Sequence, residues 1–174
     1  MAIKWSPGCN CCGEFSCDPI EKDLSTATTF NDTDWDGGGG GSQIIGLGRA
    51  MEEEALKLPE ARHSVLAACA RLGVPITVHV AMGTDTVHMH AAVSGADVGE
   101  ASHIDFRIAA GIATALEGGV WLNVGSAVVM PEVFLKLISI ARNLGHPLDD
   151  VVAANLDMQR HYRTGANVIG RPVS

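Results

Sequence analysis

The sequence predicts an α/β protein in which helices cover both faces of a parallel sheet, making three layers. Two observations predict this class. Short β-rich runs alternate with helix-period segments in the order strand–helix–strand–helix–strand. The run Val120-Trp121-Leu122-Asn123-Val124 is apolar without strict alternation, the pattern of a strand buried on both sides.

The elements follow in order. Residues 48–72 read as helix, interrupted near Pro59, which suits a first helical turn. Leu66, Cys69 and Ala70 share a face, and Gly73 stops the helix. Ile76 to Ala81 is β-rich and of strand length, and a polar loop from Gly83 to His90 follows. Ile104, Ile108, Ile112 and Leu116 recur every four residues, a helical stripe ended by Gly118-Gly119. Val120 to Val124 is the second strand and Gly125-Ser126-Ala127 a tight turn. Pro131 sits near the start of a helix that Gly145 and Pro147 close. Val151 to Asn155 is the third strand. The helix over 131–144 is apolar nearly all round, since Leu135 and Ile140 lie off its main stripe. That predicts packing against a second body such as another subunit, with Phe134 in the contact. A homo-oligomer is expected on that ground.

The chain has 174 residues, 47% of them hydrophobic, enough to build a core. Acidic residues outnumber Lys and Arg by 20 to 12, giving a net charge of −8, so no nucleic-acid partner is expected. No uncharged apolar run reaches the ~18 residues that span a bilayer, so no membrane partner is expected either. The first twelve residues lack the apolar stretch of a secretory signal, and a cytoplasmic protein is the expectation. Three regions are expected. Residues 1–36 are an irregular, Cys-rich acidic segment, residues 37–43 a Gly-rich linker, and residues 44–174 the α/β domain. Residues 1–43 hold four of the five cysteines and seven acidic side chains against Lys4 and Lys22. The five glycines from Gly37 to Gly41 have no side chains to pack.

Chemistry is expected where parallel strands end and loops lead into helices. The turn at Gly125 and Ser126 precedes a helix N-terminus, which attracts phosphate or carboxylate. Asp85 suits a ribose-hydroxyl acceptor or a general base. Arg160, His161 and Arg163 suit an anion clamp. His88, His90 and His103 offer a metal pair and a third ligand, which leaves a metal-dependent hydrolase as one reading. Cys9, Cys11, Cys12 and Cys17 could hold zinc, although adjacent cysteines strain a tetrahedral chelate. A structural assembly module, with the Cys-rich segment as its interaction element, is another reading. The first reading is a small anionic ligand, held where three parallel strands bring Asp85, Ser126 and Asp157 to a shared rim.

Val74-Pro75-Ile76-Thr77-Val78 leading to Gly83-Thr84-Asp85 resembles the strand and Thr-Asp loop of deoxyhypusine synthase. Gly118 to Met130 is similar to that family's strand and glycine turn, and Val151 to Asp157 to its next strand and loop. The likeness covers roughly residues 65–160 and the C-terminal half of a full-length family member. The phrase from Gly125 to Lys136 resembles bacterial relatives in that superfamily more closely than true synthases. The resemblance implies a partial Rossmann-like fold, NAD as cofactor and sites between subunits of a tetramer. Carried over, it implies that Thr84, Asp85, Asn123, Gly125, Ser126 and Asp157 line the nucleotide site. It implies a transferase that moves an aminobutyl group through an imine on an enzyme lysine. Met130 stands where that lysine belongs, and a thioether cannot form an imine. Hypusine-forming activity is therefore not expected, and the family resemblance alone leaves the catalytic residues undefined.

Overall fold

The computed structural model describes residues 45–173. These are mixed α/β and sort into two compact units, residues 45–108 and residues 109–173. Cys9, Cys11, Cys12 and Cys17, the acidic segment and the Gly-rich linker lie outside the described residues. No helix among the described residues is long and apolar enough to cross a membrane.

In residues 45–108 the predicted first helix is two. Helix α1 (Leu47–Lys57) ends before Pro59, a single 3₁₀ turn (Ala61–His63) follows, and α2 (Val65–Leu72) begins after Ser64. The Ser64 hydroxyl accepts from the Ala67 amide at 3.3 Å, a serine N-cap. Gly73 ends α2 at φ +64°, the left-handed stop that glycine adopts without strain. Ala67 and Cys69 are the buried residues of α2, flanked by half-buried Leu66 and Ala70.

Helix α3 (Gly95–Thr114) buries Ala101 and Asp105 within this unit, while Ile104 and Ile108 are only half-buried. The expected isoleucine stripe is thus rotated by one position. Asp105 explains the rotation. Its Oδ2 accepts from the Gly48 amide at 2.8 Å and the Val78 amide at 2.7 Å. Gly48 is the second residue of α1, and the N-cap residue Gly46 has no side chain, so a carboxylate 57 positions away caps the helix. A Cβ on Gly46 would lie 2.0 Å from Asp105 Oδ1, and one on Gly48 would lie 1.8 Å from the Ile76 carbonyl oxygen. Both glycines therefore permit a close approach.

The run Ile76 to Ala81 forms no strand ladder, contrary to its composition. Its amides go to side chains instead: Val78 donates to Asp105 and Val80 to the Ser102 hydroxyl at 3.4 Å. β-propensity reflects packing context, and here α3 supplies the acceptors. His79 sits edge-on to Phe106 with centroids 6.4 Å apart, and its Nε2 lies 3.0 Å from Thr77 Oγ1. Burial pushes its imidazole pKa down.

In residues 109–173 the chain runs β1 (Val120–Val124), α4 (Val129–Asn143) and β2 (Val152–Leu156), a β–α–β unit. The strands are parallel, with Val120 opposite Val152 and Val124 opposite Leu156. The Gly118 and Val152 amides extend the ladder backwards, to Asp150 and Gly119 oxygens at 2.7 and 3.0 Å. The Gly125 amide extends it forwards to Leu156 at 3.0 Å.

The core lies on one face of this two-stranded sheet. Trp121 stacks on Phe134 of α4 at 4.2 Å between centroids and 15° between planes. Leu116, Leu137, Ile138, Ala141, Leu148 and Val168 are buried in the same unit. Strand β1 alternates, with Trp121 and Asn123 buried and Val120, Leu122 and Val124 exposed, so the expected burial on both faces is not observed. Phe134 is fully buried against its own sheet and is no subunit contact. A short helix α5 (Tyr162–Thr164) runs on as a π-helical segment, Gly165–Gly170.

Arg142 ties the end of α4 to the C-terminal tail. Its Nε donates to the Pro147 carbonyl at 3.0 Å, and one Nη donates to Leu148 and Pro172 carbonyls at 3.3 and 2.8 Å. Leu148, held there, has φ +53° with its side chain buried, a backbone strain offset by packing. Arg142→Ala is expected to destabilise this unit by about 1.5–3 kcal/mol, the range for hydrogen bonds from a charged donor, read as a lowered midpoint in urea.

Candidate functional site: the strand ends of residues 109–173

Parallel strands stop at the same level here, because Val124 pairs with Leu156 and the next residues, Gly125 and Asp157, both leave the sheet. Gly125 has φ +65°, and a Cβ built on it would meet nothing within 4 Å. Glycine is required by the turn, and open space lies beside it. An open depression of about 530 Å³ begins at this point. Val124, Gly125, Leu156, Asp157, Met158, Gln159 and His161 line it.

Asp157 is the acid of the depression. Its side chain is 15% exposed, and its Oδ2 lies 3.8 Å from His161 Nε2. Its Oδ1 accepts from the Gln159 amide at 3.3 Å, an Asx turn that fixes the carboxylate at the strand end. His161 begins the segment that becomes α5, and the Thr164 hydroxyl donates to the His161 carbonyl at 2.8 Å.

Glu132, in the first turn of α4, holds that segment in place. It receives Arg163, the Asn167 amide nitrogen at 2.8 Å and Lys136 at 3.0 Å. Lys136 first, then Arg163, holds the Glu132 carboxyl below its usual range. These cations are therefore engaged. Arg163 is bound to Glu132 and does not extend as a clamp, whereas Arg160 is exposed.

Asn123 is buried behind the turn. Its Nδ2 donates to Asn155 Oδ1 at 2.6 Å and to the Ser126 carbonyl at 2.9 Å. The side chain joins the two strand ends from the core side and is not presented at the surface. Ser126 Oγ accepts from the Met130 amide at 3.1 Å. Pro131 has no amide proton, and the Glu132 amide donates to the Val128 carbonyl at 3.2 Å. The start of α4 is thus largely self-satisfied and lacks a row of free amides for a phosphate.

The other expected site residues serve their own turn. Thr84 and Asp85 belong to residues 45–108. The Thr84 hydroxyl donates to the Ala81 carbonyl at 2.6 Å, and Asp85 Oδ1 accepts from the Thr86 amide at 2.7 Å, capping a 3₁₀ turn (Thr86–Met89). His88 Nδ1 accepts from the Gly83 amide at 3.0 Å, and His90 Nδ1 from the Ala92 amide at 3.2 Å. His103 is exposed on α3. Among the described residues no three His, Cys, Asp or Glu side chains converge as metal ligands.

Of the residues expected from strand-end logic, Gly125 and Asp157 line the depression, while Ser126 is not part of its lining. Met158 and Gln159 line it without having been singled out by the sequence. Nothing in the sequence pointed to Glu132 as the anchor of the segment carrying His161. Glu132 lies 31 positions before Arg163, too far for any local signal. Compared with known families, with curated proteins and with solved structures, the chain matches none.

Proposed function

We propose that residues 109–173 are a partial Rossmann-like, deoxyhypusine-synthase-like domain that binds the nucleoside part of a nucleotide at its strand ends. One observation carries this reading. A glycine turn directly after β1 and a sheltered carboxylate directly after β2 flank one depression. In dinucleotide-binding folds those two places meet the ligand backbone and the ribose hydroxyls, respectively. Asp157 accepts from the ribose, Gly125 lets the ligand reach the main chain, and Val124, Leu156 and Met158 offer apolar surface to the base. The Ser126 hydroxyl retains its own proton to donate.

The residues fit a nucleoside better than the whole of NAD. In the first turn of α4 the Met130 and Glu132 amides go to Ser126 and Val128 and Pro131 has none, so the diphosphate finds no row of free amides there. No imine step is assigned. Met130 is a thioether, and Lys136, the nearest amine along the chain, is salt-bridged to Glu132 on the exposed side of α4.

Calorimetric titration of the full chain with adenosine and with NAD tests the reading. Both are expected to bind with affinities within about tenfold of each other, since the diphosphate adds little. Asp157→Ala is expected to weaken both by at least about tenfold, the loss of one charge-assisted hydrogen bond of ~1.5–3 kcal/mol. Absence of heat at millimolar ligand, or equal affinity in Asp157→Ala, contradicts it.

A further inference from the structure

The loop from Gly83 to Ala92 closes on two imidazole rings. His88 Nδ1 accepts from two main-chain amides, Gly83 at 3.0 Å and Asp85 at 3.3 Å. His90 Nδ1 accepts from a third, Ala92 at 3.2 Å. A ring nitrogen that accepts holds no hydrogen, so both rings are neutral and carry their hydrogen on Nε2. With Nδ1 engaged and Nε2 protonated, neither ring presents a lone pair to a metal.

Both rings stand where non-titrating acceptors are usual. Asp85 and His88 form a reciprocal capping box on the 3₁₀ turn: the Asp85 side chain accepts from the turn and His88 accepts from the Asp85 amide. The third residue of such a box is ordinarily Glu or Gln. His90 accepts from the amide two residues on, the place of Asn or Asp in an Asx turn. Among these acceptors, histidine is the one that a proton disables between about pH 5 and pH 8.

We propose that His88 and His90 make this loop an acid-released clasp, closed while both rings are neutral and open once they are protonated. A protonated ring carries N–H on both nitrogens, so it repels the amides it formerly received. Three main-chain donors lose their acceptors together. Asp85 is the one carboxylate from Gly83 to Ala92, and the stretch holds no Lys or Arg. Two protons therefore turn a loop of net negative charge into one of net positive charge. Among the described residues only His63 and His161 have a carboxylate within ion-pair distance, so no such pair holds the charged rings in place. The charged groups of neighbouring helices serve the run before the loop: Asp105 of α3 binds the Val78 amide, and Glu52 of α1 lies beside Ile76. His79, in that run, is kept neutral by burial against Phe106. The clasp belongs to residues 45–108 and stands whether or not a nucleoside binds at the ends of β1 and β2.

Nitrogen-15 magnetic resonance of the labelled full chain, at about pH 7.5 and about pH 5, tests this. At the higher pH both rings are expected to show the neutral form with hydrogen on Nε2. At the lower pH the amide signals of Gly83, Asp85 and Ala92 are expected to shift. The order parameters of residues 83–92 are expected to fall from about 0.85 to below about 0.6, while those of α1 and α2 stay unchanged. A chain carrying His88→Gln and His90→Asn keeps both acceptors without their titration, and its loop is expected to remain ordered at both pH values. Hydrogen on Nδ1 of either ring at the higher pH overturns the proposal, and so does a wild-type loop equally ordered at both. A double variant that opens as wild type does, or is already open at the higher pH, overturns it too.

Discussion

Phe134→Ala is expected to destabilise residues 109–173 by about 3–5 kcal/mol, the range for truncating a buried phenylalanine. The ring is 0% exposed and stacked on Trp121. Its removal costs the transfer of the ring atoms and the stacking geometry, and leaves a void between α4 and β1. Leu137 and Ile138, three and four residues further along the same helix, and Val168 of the same unit are themselves buried, so they have limited freedom to collapse inward. Against a total stability of about 5–15 kcal/mol, that is a large fraction of the margin. Phe134→Leu keeps most of the volume and is expected to cost less than half as much. Urea titration followed by circular dichroism measures both. A loss under about 1 kcal/mol for the alanine variant would mean that Phe134 is not a core residue.

Asp105 governs the second large effect, in residues 45–108. Asp105→Ala leaves the Gly48 and Val78 amides without their acceptor, at about 1–3 kcal/mol for each buried donor, partly offset by removing a desolvated carboxylate. A net loss of about 2–4 kcal/mol is expected. Asp105→Asn keeps a carbonyl oxygen for both amides and is expected to lose less.

The pH dependence separates charge from shape. Burial raises the Asp105 pKa above its ordinary 3.8, against the opposing pull of the two amides. A raised folded pKa means that the folded unit holds the proton more tightly than the unfolded chain. This contribution to stability is complete below pH 3.8 and is lost as pH rises through the folded pKa. Glu52, also raised chiefly by burial and further by the Asp105 charge, acts in the same direction. Asp105→Asn removes the first effect and relieves the second. Its stability relative to wild type should therefore improve steadily as pH rises from the acid side to neutrality. Denaturation midpoints at several pH values read this directly, and a constant difference between the two proteins contradicts it.

Local signals in the sequence encode some of this fold. Val120 to Val124 is a strand because five residues of mostly β-branched or aromatic type stand between the glycine pair Gly118-Gly119 and a Gly-Ser turn. Pro131 near a helix start and Gly73 at a helix stop follow from their own backbone restrictions. Ile76 to Ala81 misled, because its partner was a carboxylate on another element and not a strand edge. The direction of Phe134 misled as well. Helix α4 is apolar nearly all round, so periodicity could not say which side meets the sheet; Trp121 decides it. Gly125 and Asp157 were legible because strand ends are where a β–α–β unit exposes main chain. Their neighbour His161 depends on Glu132 binding Arg163 and Asn167 across more than thirty residues, which no window along the chain contains.

Amide chemical-shift mapping of the isotope-labelled chain with adenosine is the most direct test of the strand-end site. Shifts are expected to concentrate at Val124, Gly125 and the residues from Asp157 to His161, and to vanish in Asp157→Ala. An unchanged spectrum, or shifts gathered at Thr84 and Asp85 instead, would contradict the assignment of the ligand to the ends of β1 and β2.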